Sequence, residues 1–64
     1  MSYYREYLIN LLQEVKDPRR NDSEFIESRA ELAQDEFDRL TRMGEPGFAA
    51  HELAMETLLA GVDV

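Results

Sequence analysis

The side chains of this sequence that could do chemistry are few, and their spacing does not suit catalysis. His51 is the only histidine, and Glu52 and Glu56 follow it. A helical zinc-hydrolase motif needs a second histidine four positions after the first, and that position is Met55. The spacing therefore predicts no metal site. It favours a packing or interface role for His51, or a pH-sensitive contact, because imidazole changes its charge near neutrality.

The hydroxyl side chains offer no activated nucleophile. A serine or threonine attacks a substrate only when a base activates it, and no plausible base lies beside these residues in sequence. The glycine-rich turn that presents a catalytic serine is also missing. We therefore expect no catalytic, cofactor-binding or metal-binding residue, and we interpret the chain as a non-enzyme. The hydroxyl residues considered are Ser23, Ser28, Thr41 and Thr57.

Five carboxylates form the sharpest charged feature of the sequence. They recur at steps of three and four residues, so neighbours along a helix lie about 5–6 Å apart. This is close to the phosphate spacing of nucleic acid. Two interpretations stay open: an acidic inhibitor that occupies a nucleic-acid-binding site, or an ordinary solvated helix face. The five are Glu24, Glu27, Glu31, Asp35 and Asp38.

An apolar stripe runs along the same segment. Its members recur at steps of four, three, four and three residues, and at about 100° per residue they lie nearly opposite the carboxylates. This pattern predicts one long amphipathic helix that packs against the rest of the chain. The stripe consists of Ile26, Ala30, Ala33, Phe37 and Leu40.

Proline and glycine mark the ends of three predicted helices. Pro18 disfavours helix in the residue before it, Gly44 can take the left-handed conformation that closes a helix, and Pro46 suits a first helical position. The sequence therefore predicts an all-α fold, with three helices, a long central one and short connections. We expect a single domain over residues 1–64, with helices at about 3–16, 22–43 and 46–60.

The charge balance excludes several classes of partner. Fourteen acidic residues against seven basic ones give a formal net charge of −7, which argues against direct binding to nucleic acid or to an anionic membrane. No apolar run approaches the roughly 20 residues needed to cross a bilayer. The first residues do not resemble a signal peptide, so we expect a cytoplasmic protein.

The third helix has more apolar surface than one core needs. One arc is predicted to face the other two helices, and a second apolar arc lies on another side. A chain of this length buries only roughly 60% of the surface that its unfolded form exposes, which favours association with a second chain. The predicted inward arc is Ala50, Leu53, Ala54, Thr57 and Leu58.

The second arc, with two residues of helix two, is the predicted partner-binding surface. We expect a homodimer, or binding to another protein, through this surface; the alternative is that helix one covers both arcs within a single core. The function that follows is a non-enzymatic interaction module or small regulator, with the acidic inhibitor as the alternative. The surface residues are Phe48, Met55, Leu59 and Val62 on helix three and Phe25 and Leu32 on helix two.

Several segments resemble a family of small, uncharacterised bacterial proteins. Residues 25–30 match a pattern F-I-x-x-R-A, and they are followed by Gly44, by Glu-Leu-Ala at 52–54 and by Leu58 with Gly61. Val62 stands where the pattern would have leucine. The resemblance implies a small helical protein, often carried by mobile genetic elements. It implies no activity and no catalytic residue.

Arg29 is the polar residue of that pattern with the clearest structural options. It lies at the edge of the apolar stripe, where a long cationic side chain can reach a carboxylate or a helix end. We expect it to bind Glu36 or the carbonyl groups that close helix three. The alternative is a side chain that covers apolar surface with its head in water.

Overall fold

The computed structural model describes residues 3–63 and shows three α-helices joined by short connections. Within this range there is no strand, which confirms the all-α, three-helix prediction. The elements are α1 (Tyr3–Glu14), a 3-10 turn (Pro18–Asn21), α2 (Ser23–Arg42) and α3 (Gly47–Leu59).

The end of α1 differs from the sequence-based expectation. The helix ends at Glu14 rather than at Lys16, because Lys16 adopts a left-handed conformation with φ of 56°. The amide of Asp17 then donates to the carbonyl of Leu12 at 2.9 Å. The short connection that follows contains the 3-10 turn that starts at Pro18.

Both ends of α2 have identifiable caps. At the start, the Asp22 carboxylate accepts a hydrogen bond from the amide of Phe25 at 3.1 Å, which satisfies one of the free donors of the first turn. At the other end, Gly44 has φ of 95°, and the amide of Glu45 donates to the carbonyl of Leu40 at 3.0 Å. The glycine closes the helix as predicted.

The core lies along the line where the three helices meet. The apolar stripe of α2 faces it as predicted, with Phe37 only partly buried and the other four members buried. Alanines at the contact let α2 and α3 approach closely, and these two helices make the most extensive contact of the fold. The buried apolar residues are Tyr4, Leu8, Leu12, Ile26, Ala30, Ala33, Leu40, Ala50, Ala54, Leu58 and Val62.

The inward side of α3 needs two corrections. Leu53, predicted to face the core, is 42% exposed. Val62, predicted on the partner-binding surface, is buried at 8% exposure. The buried residues of α3 follow a four-residue step from Ala50 through Ala54 to Leu58, which leaves Leu53 on a flank of the helix. Val62 lies beyond the end of α3, where Gly61 turns the chain with φ of 82°, and its side chain joins the core cluster.

None of the helices among residues 3–63 is both long enough and apolar enough to cross a membrane.

Candidate protein interaction site

Helices α1 and α3 lie side by side and run in the same direction. At their first turns, the hydroxyl of Tyr4 and Nδ1 of His51 are 3.2 Å apart, and the rings of Tyr3 and His51 have centroids 5.6 Å apart. Just beyond their other ends, Nη2 of Arg19 donates to the carbonyl of Gly61 at 3.0 Å. The two helices therefore begin and end together.

Two apolar rows flank the contact between α1 and α3. On α1 each member of the row comes directly before a buried residue, and on α3 each comes directly after one. Successive residues of a helix point about 100° apart, so each member points roughly 100° away from its buried neighbour. Because the helices are parallel neighbours, both rows turn to the same side, away from α2. We define the α1–α3 face by Phe48 and by these rows, Tyr3, Tyr7 and Leu11 on α1 with Met55 and Leu59 on α3.

Contacts of α2 identify the other two sides of the bundle. Arg5, on the opposite flank of α1, donates through Nε to Oε2 of Glu27 on α2 at 2.5 Å. On the third side, Oγ1 of Thr57 on α3 donates to Oε1 of Glu36 on α2. The α1–α3 face is therefore the side to which α2 contributes least.

The α1–α3 face is uneven. Phe48 is its most exposed member, with 77% of its surface accessible, and Tyr3 is 57% exposed. Met55 and Leu59 are half-buried and pack against the core. The structure thus places three of the predicted partner-binding residues on one side of the bundle.

The remaining predicted residues of that surface lie elsewhere. Val62 belongs to the core, and Phe25 packs against it from the end of the bundle near Gly61. Leu32 is 53% exposed, but it precedes Glu36 by one helical turn and so lies on the side that α2 shares with α3. Leu53 precedes Thr57 in the same way.

A shallow groove on α1 completes the α1–α3 face. It has a volume of about 310 Å³ and is lined by Tyr7, Asn10, Leu11 and Glu14. The sequence analysis assigned no role to this part of α1. The sequence did contain a pattern that indicates this face, because Tyr3, Tyr7 and Leu11 recur every four residues, each next to a residue that is buried.

Arg29 adopts one of its predicted positions and closes α3. Its Nη1 donates to the carbonyl of Ala60 at 2.6 Å and to that of Thr57 at 3.3 Å. The guanidinium groups of Arg29 and Arg19 lie 4.9 Å and 4.6 Å from the ring centroid of Phe25. We refer to Arg19, Phe25 and Arg29 as the C-terminal clamp, because together they hold the carbonyl groups at the end of α3.

Asp17 orients one arm of the C-terminal clamp. Its Oδ1 accepts hydrogen bonds from the backbone amide of Arg19 at 2.8 Å and from Nε at 3.0 Å, and its Oδ2 accepts from Nη2 at 2.9 Å. The side-chain hydrogen bonds from Arg19, followed by the backbone one, lower the pKa of Asp17 to about 2. The same hydrogen bonding raises the pKa of Arg19.

The carboxylates of the acidic stripe all lie at the surface, as an amphipathic α2 requires. Glu24, Glu27, Glu31, Asp35 and Asp38 are each exposed. The hydrogen bond from Arg5 to Glu27 raises the pKa of Arg5. A groove of about 240 Å³ separates this side of α2 from α1, and it is lined by Arg5, Glu27, Ala30, Glu31, Gln34 and Asp35.

The histidine lies at a packing contact between helices. His51 is half-buried beside Tyr4, whose pKa is raised by burial first and then by the nearby Tyr3 and Asp38. Among residues 3–63, no three histidine or carboxylate side chains come together as a metal site would require. The arrangement around His51 joins α1 to α3.

Comparison with known proteins identifies a family. No curated protein and no solved structure matches the chain. The family model of a domain of unknown function, DUF1896, matches residues 1–64, the whole of the sequence. The chain therefore belongs to the DUF1896 family.

Proposed function

We propose that the protein is a non-enzymatic protein–protein interaction module, a small regulator that docks through the α1–α3 face. The observation that carries this proposal is the 77% exposure of Phe48. Burying a phenylalanine side chain contributes roughly 1.5–3 kcal/mol, and Phe48 contributes little of this to the isolated fold. A binding partner that covers Phe48 gains that free energy instead.

The composition of the α1–α3 face supports docking. Aromatic residues and methionine are enriched where proteins bind one another, and tyrosine is common among the residues that carry most of the binding energy. The face combines Phe48, Tyr3, Tyr7 and Met55 on one side of the bundle. Tyr3 and Tyr7 also contact one another, with ring centroids 6.0 Å apart.

The test compares two variants of α3, in each of which one exposed apolar residue is replaced by glutamate. Phe48→Glu places a charge on the α1–α3 face, and Leu53→Glu places one on the opposite flank of the same helix, where the side chain is also exposed. Binding partners captured by the wild type should be lost with Phe48→Glu and retained with Leu53→Glu, while circular dichroism shows both variants folded. Partners retained by Phe48→Glu would contradict the proposal. Met55 is a poorer probe, because it packs against the core.

A second candidate function is an acidic inhibitor of a nucleic-acid-binding protein. The observation that favours it is that all five carboxylates of the stripe are exposed along a stretch of about 21 Å, at 1.5 Å per residue. Neutralising Glu31 and Asp35 with Gln and Asn should then weaken capture of a basic partner, with a steep dependence on salt. In this case Phe48→Glu should have no effect.

A further inference from the structure

The α1–α3 face carries both a protruding ring and a hollow. Phe48 projects from the first turn of α3, and the groove on α1 has a volume of about 310 Å³. A protein cavity of roughly 150 Å³ already accommodates benzene. The groove is therefore large enough for a phenyl ring, and Tyr7 and Leu11 give it apolar walls.

The ring and the hollow are placed for exchange between two identical molecules. They lie on the same face but on different helices and at different heights, because Phe48 belongs to the first turn of α3 and the groove extends over the last two turns of α1. A two-fold axis that lies in the interface and bisects the line between the two positions exchanges them. Isologous dimers use such reciprocal contacts.

We propose that the partner on the α1–α3 face is a second copy of this chain, with Phe48 of each copy inserted into the α1 groove of the other. This docking mode rests on the proposed function and specifies its partner. Each dimer then contains two identical contacts, and each contact joins the α3 of one copy to the α1 of its partner.

The size of the face is sufficient for a stable dimer. A stable interface buries about 800 Å² on each partner, which is less than about a fifth of the 4358 Å² accessible surface of the chain. One side of the bundle can supply the required area.

Local charges are complementary at the proposed contact. The start of α3 has no side-chain cap and no acidic residue in its first turn, so its amide groups carry partial positive charge that no side chain of that turn offsets. Glu14 borders the α1 groove. Insertion of Phe48 into that groove brings the partner's Glu14 to the start of α3. The favourable local contact works against the repulsion between two copies of net charge −7.

The experiment measures self-association by sedimentation equilibrium for the wild type and three variants. Phe48→Ala removes the ring, and Asn10→Trp fills the groove from an exposed position. Gln13→Trp is the matched control, because it is also exposed on α1 but does not line the groove. We expect a wild-type dimer, association at least about tenfold weaker for Phe48→Ala and for Asn10→Trp, and no change for Gln13→Trp.

Mixing the two weakened variants tests the reciprocal contact directly. In a heterodimer, Phe48 of the Asn10→Trp chain meets the unfilled groove of the Phe48→Ala chain, so one of the two contacts is intact. The mixture should therefore associate more tightly than either variant alone. Raising the salt from about 50 mM to about 500 mM should strengthen the wild-type dimer, because it screens the overall repulsion.

The outcomes separate this docking mode from the proposed function. A wild-type chain that remains monomeric overturns the second copy as partner, while the capture experiment with Phe48→Glu still tests the docking surface. A dimer that resists Asn10→Trp, or two variants that gain nothing on mixing, overturns the insertion of Phe48 into the groove. A dimer unaffected by either variant overturns the α1–α3 face as the site of self-association.

Discussion

The two ends of α3 are built differently. At its C-terminal end, Arg29 and Arg19 donate hydrogen bonds to the carbonyls of Thr57, Ala60 and Gly61. At its N-terminal end no side chain caps the helix, and the second residue, Phe48, is largely exposed. Side chains therefore bind the backbone of α3 at its C-terminal end, whereas near its N-terminal end the polar contact to α1 is the pair of Tyr4 and His51.

This difference separates side chains that hold the fold from side chains that are free to bind. Leu58 is fully buried beside the C-terminal clamp, so its apolar surface already stabilises the monomer. Phe48, ten residues earlier on the same helix, has most of its surface in water. The start of α3 can therefore bind a partner without disturbing the contacts that hold the helix in place.

The largest expected effect contrasts these two residues. Leu58→Ala should lower the free energy of unfolding by about 2–5 kcal/mol, because it leaves a cavity in the core. Phe48→Ala should change it by no more than about 0.5 kcal/mol. Urea denaturation at a concentration low enough to keep the chain monomeric measures both, and equal losses would contradict the division of α3 into two ends.

The sequence was sufficient to predict α2 and its surroundings. Its apolar stripe repeats regularly over fifteen residues with charged residues opposite, so only one orientation buries it. Gly44 then had a single structural use at the end of the helix. For Arg29 the sequence indicated two binding partners within reach of the edge of the stripe, Glu36 and the carbonyl groups that close α3, and the second is the one that Arg29 binds.

The orientation of α3 was harder to predict. Alanine and leucine occur around most of this helix, so several orientations bury a similar amount of apolar surface. Leu53 and Val62 were therefore assigned to the wrong sides. The choice depends on which flank α1 covers, and that is decided by contacts between distant residues, such as Tyr4 with His51.

The groove on α1 was missed for a related reason. Its lining residues are apolar and polar in alternation along one flank, and such a flank is equally consistent with simple exposure to water. Only the parallel placement of α3 beside it turns Tyr7 and Leu11 into part of a larger apolar face. The site therefore depends on tertiary structure in a way that the α2 stripe does not.

A smaller expected effect tests the C-terminal clamp. Arg29→Met keeps an apolar stem over Phe25 but removes the hydrogen bonds to the carbonyls of Ala60 and Thr57, so we expect a loss of about 2 kcal/mol in unfolding free energy. Arg39→Met is the control, since Arg39 is exposed and contacts residues near it in sequence, Glu36 at 3.4 Å and the sulfur of Met43 at 3.7 Å. Chemical denaturation measures the free energy of unfolding of both variants. Equal losses for Arg29→Met and Arg39→Met would contradict a stabilising role for the C-terminal clamp.

The smallest expected effect concerns acid and Asp17. Because the pKa of Asp17 is lowered in the folded chain to about 2 from its ordinary value of 3.8, its ionised form stabilises the fold above about pH 4, and this contribution is lost as the pH falls from about 4 to 2. The melting temperature of Asp17→Asn should therefore lie below that of the wild type at neutral pH, and the gap should narrow across this range. We expect a modest effect, because protonation of Asp17 does not remove the guanidinium group of Arg19 that donates to the carbonyl of Gly61. A gap that stays constant down to pH 2 would show that the charge of Asp17 does not support the clamp.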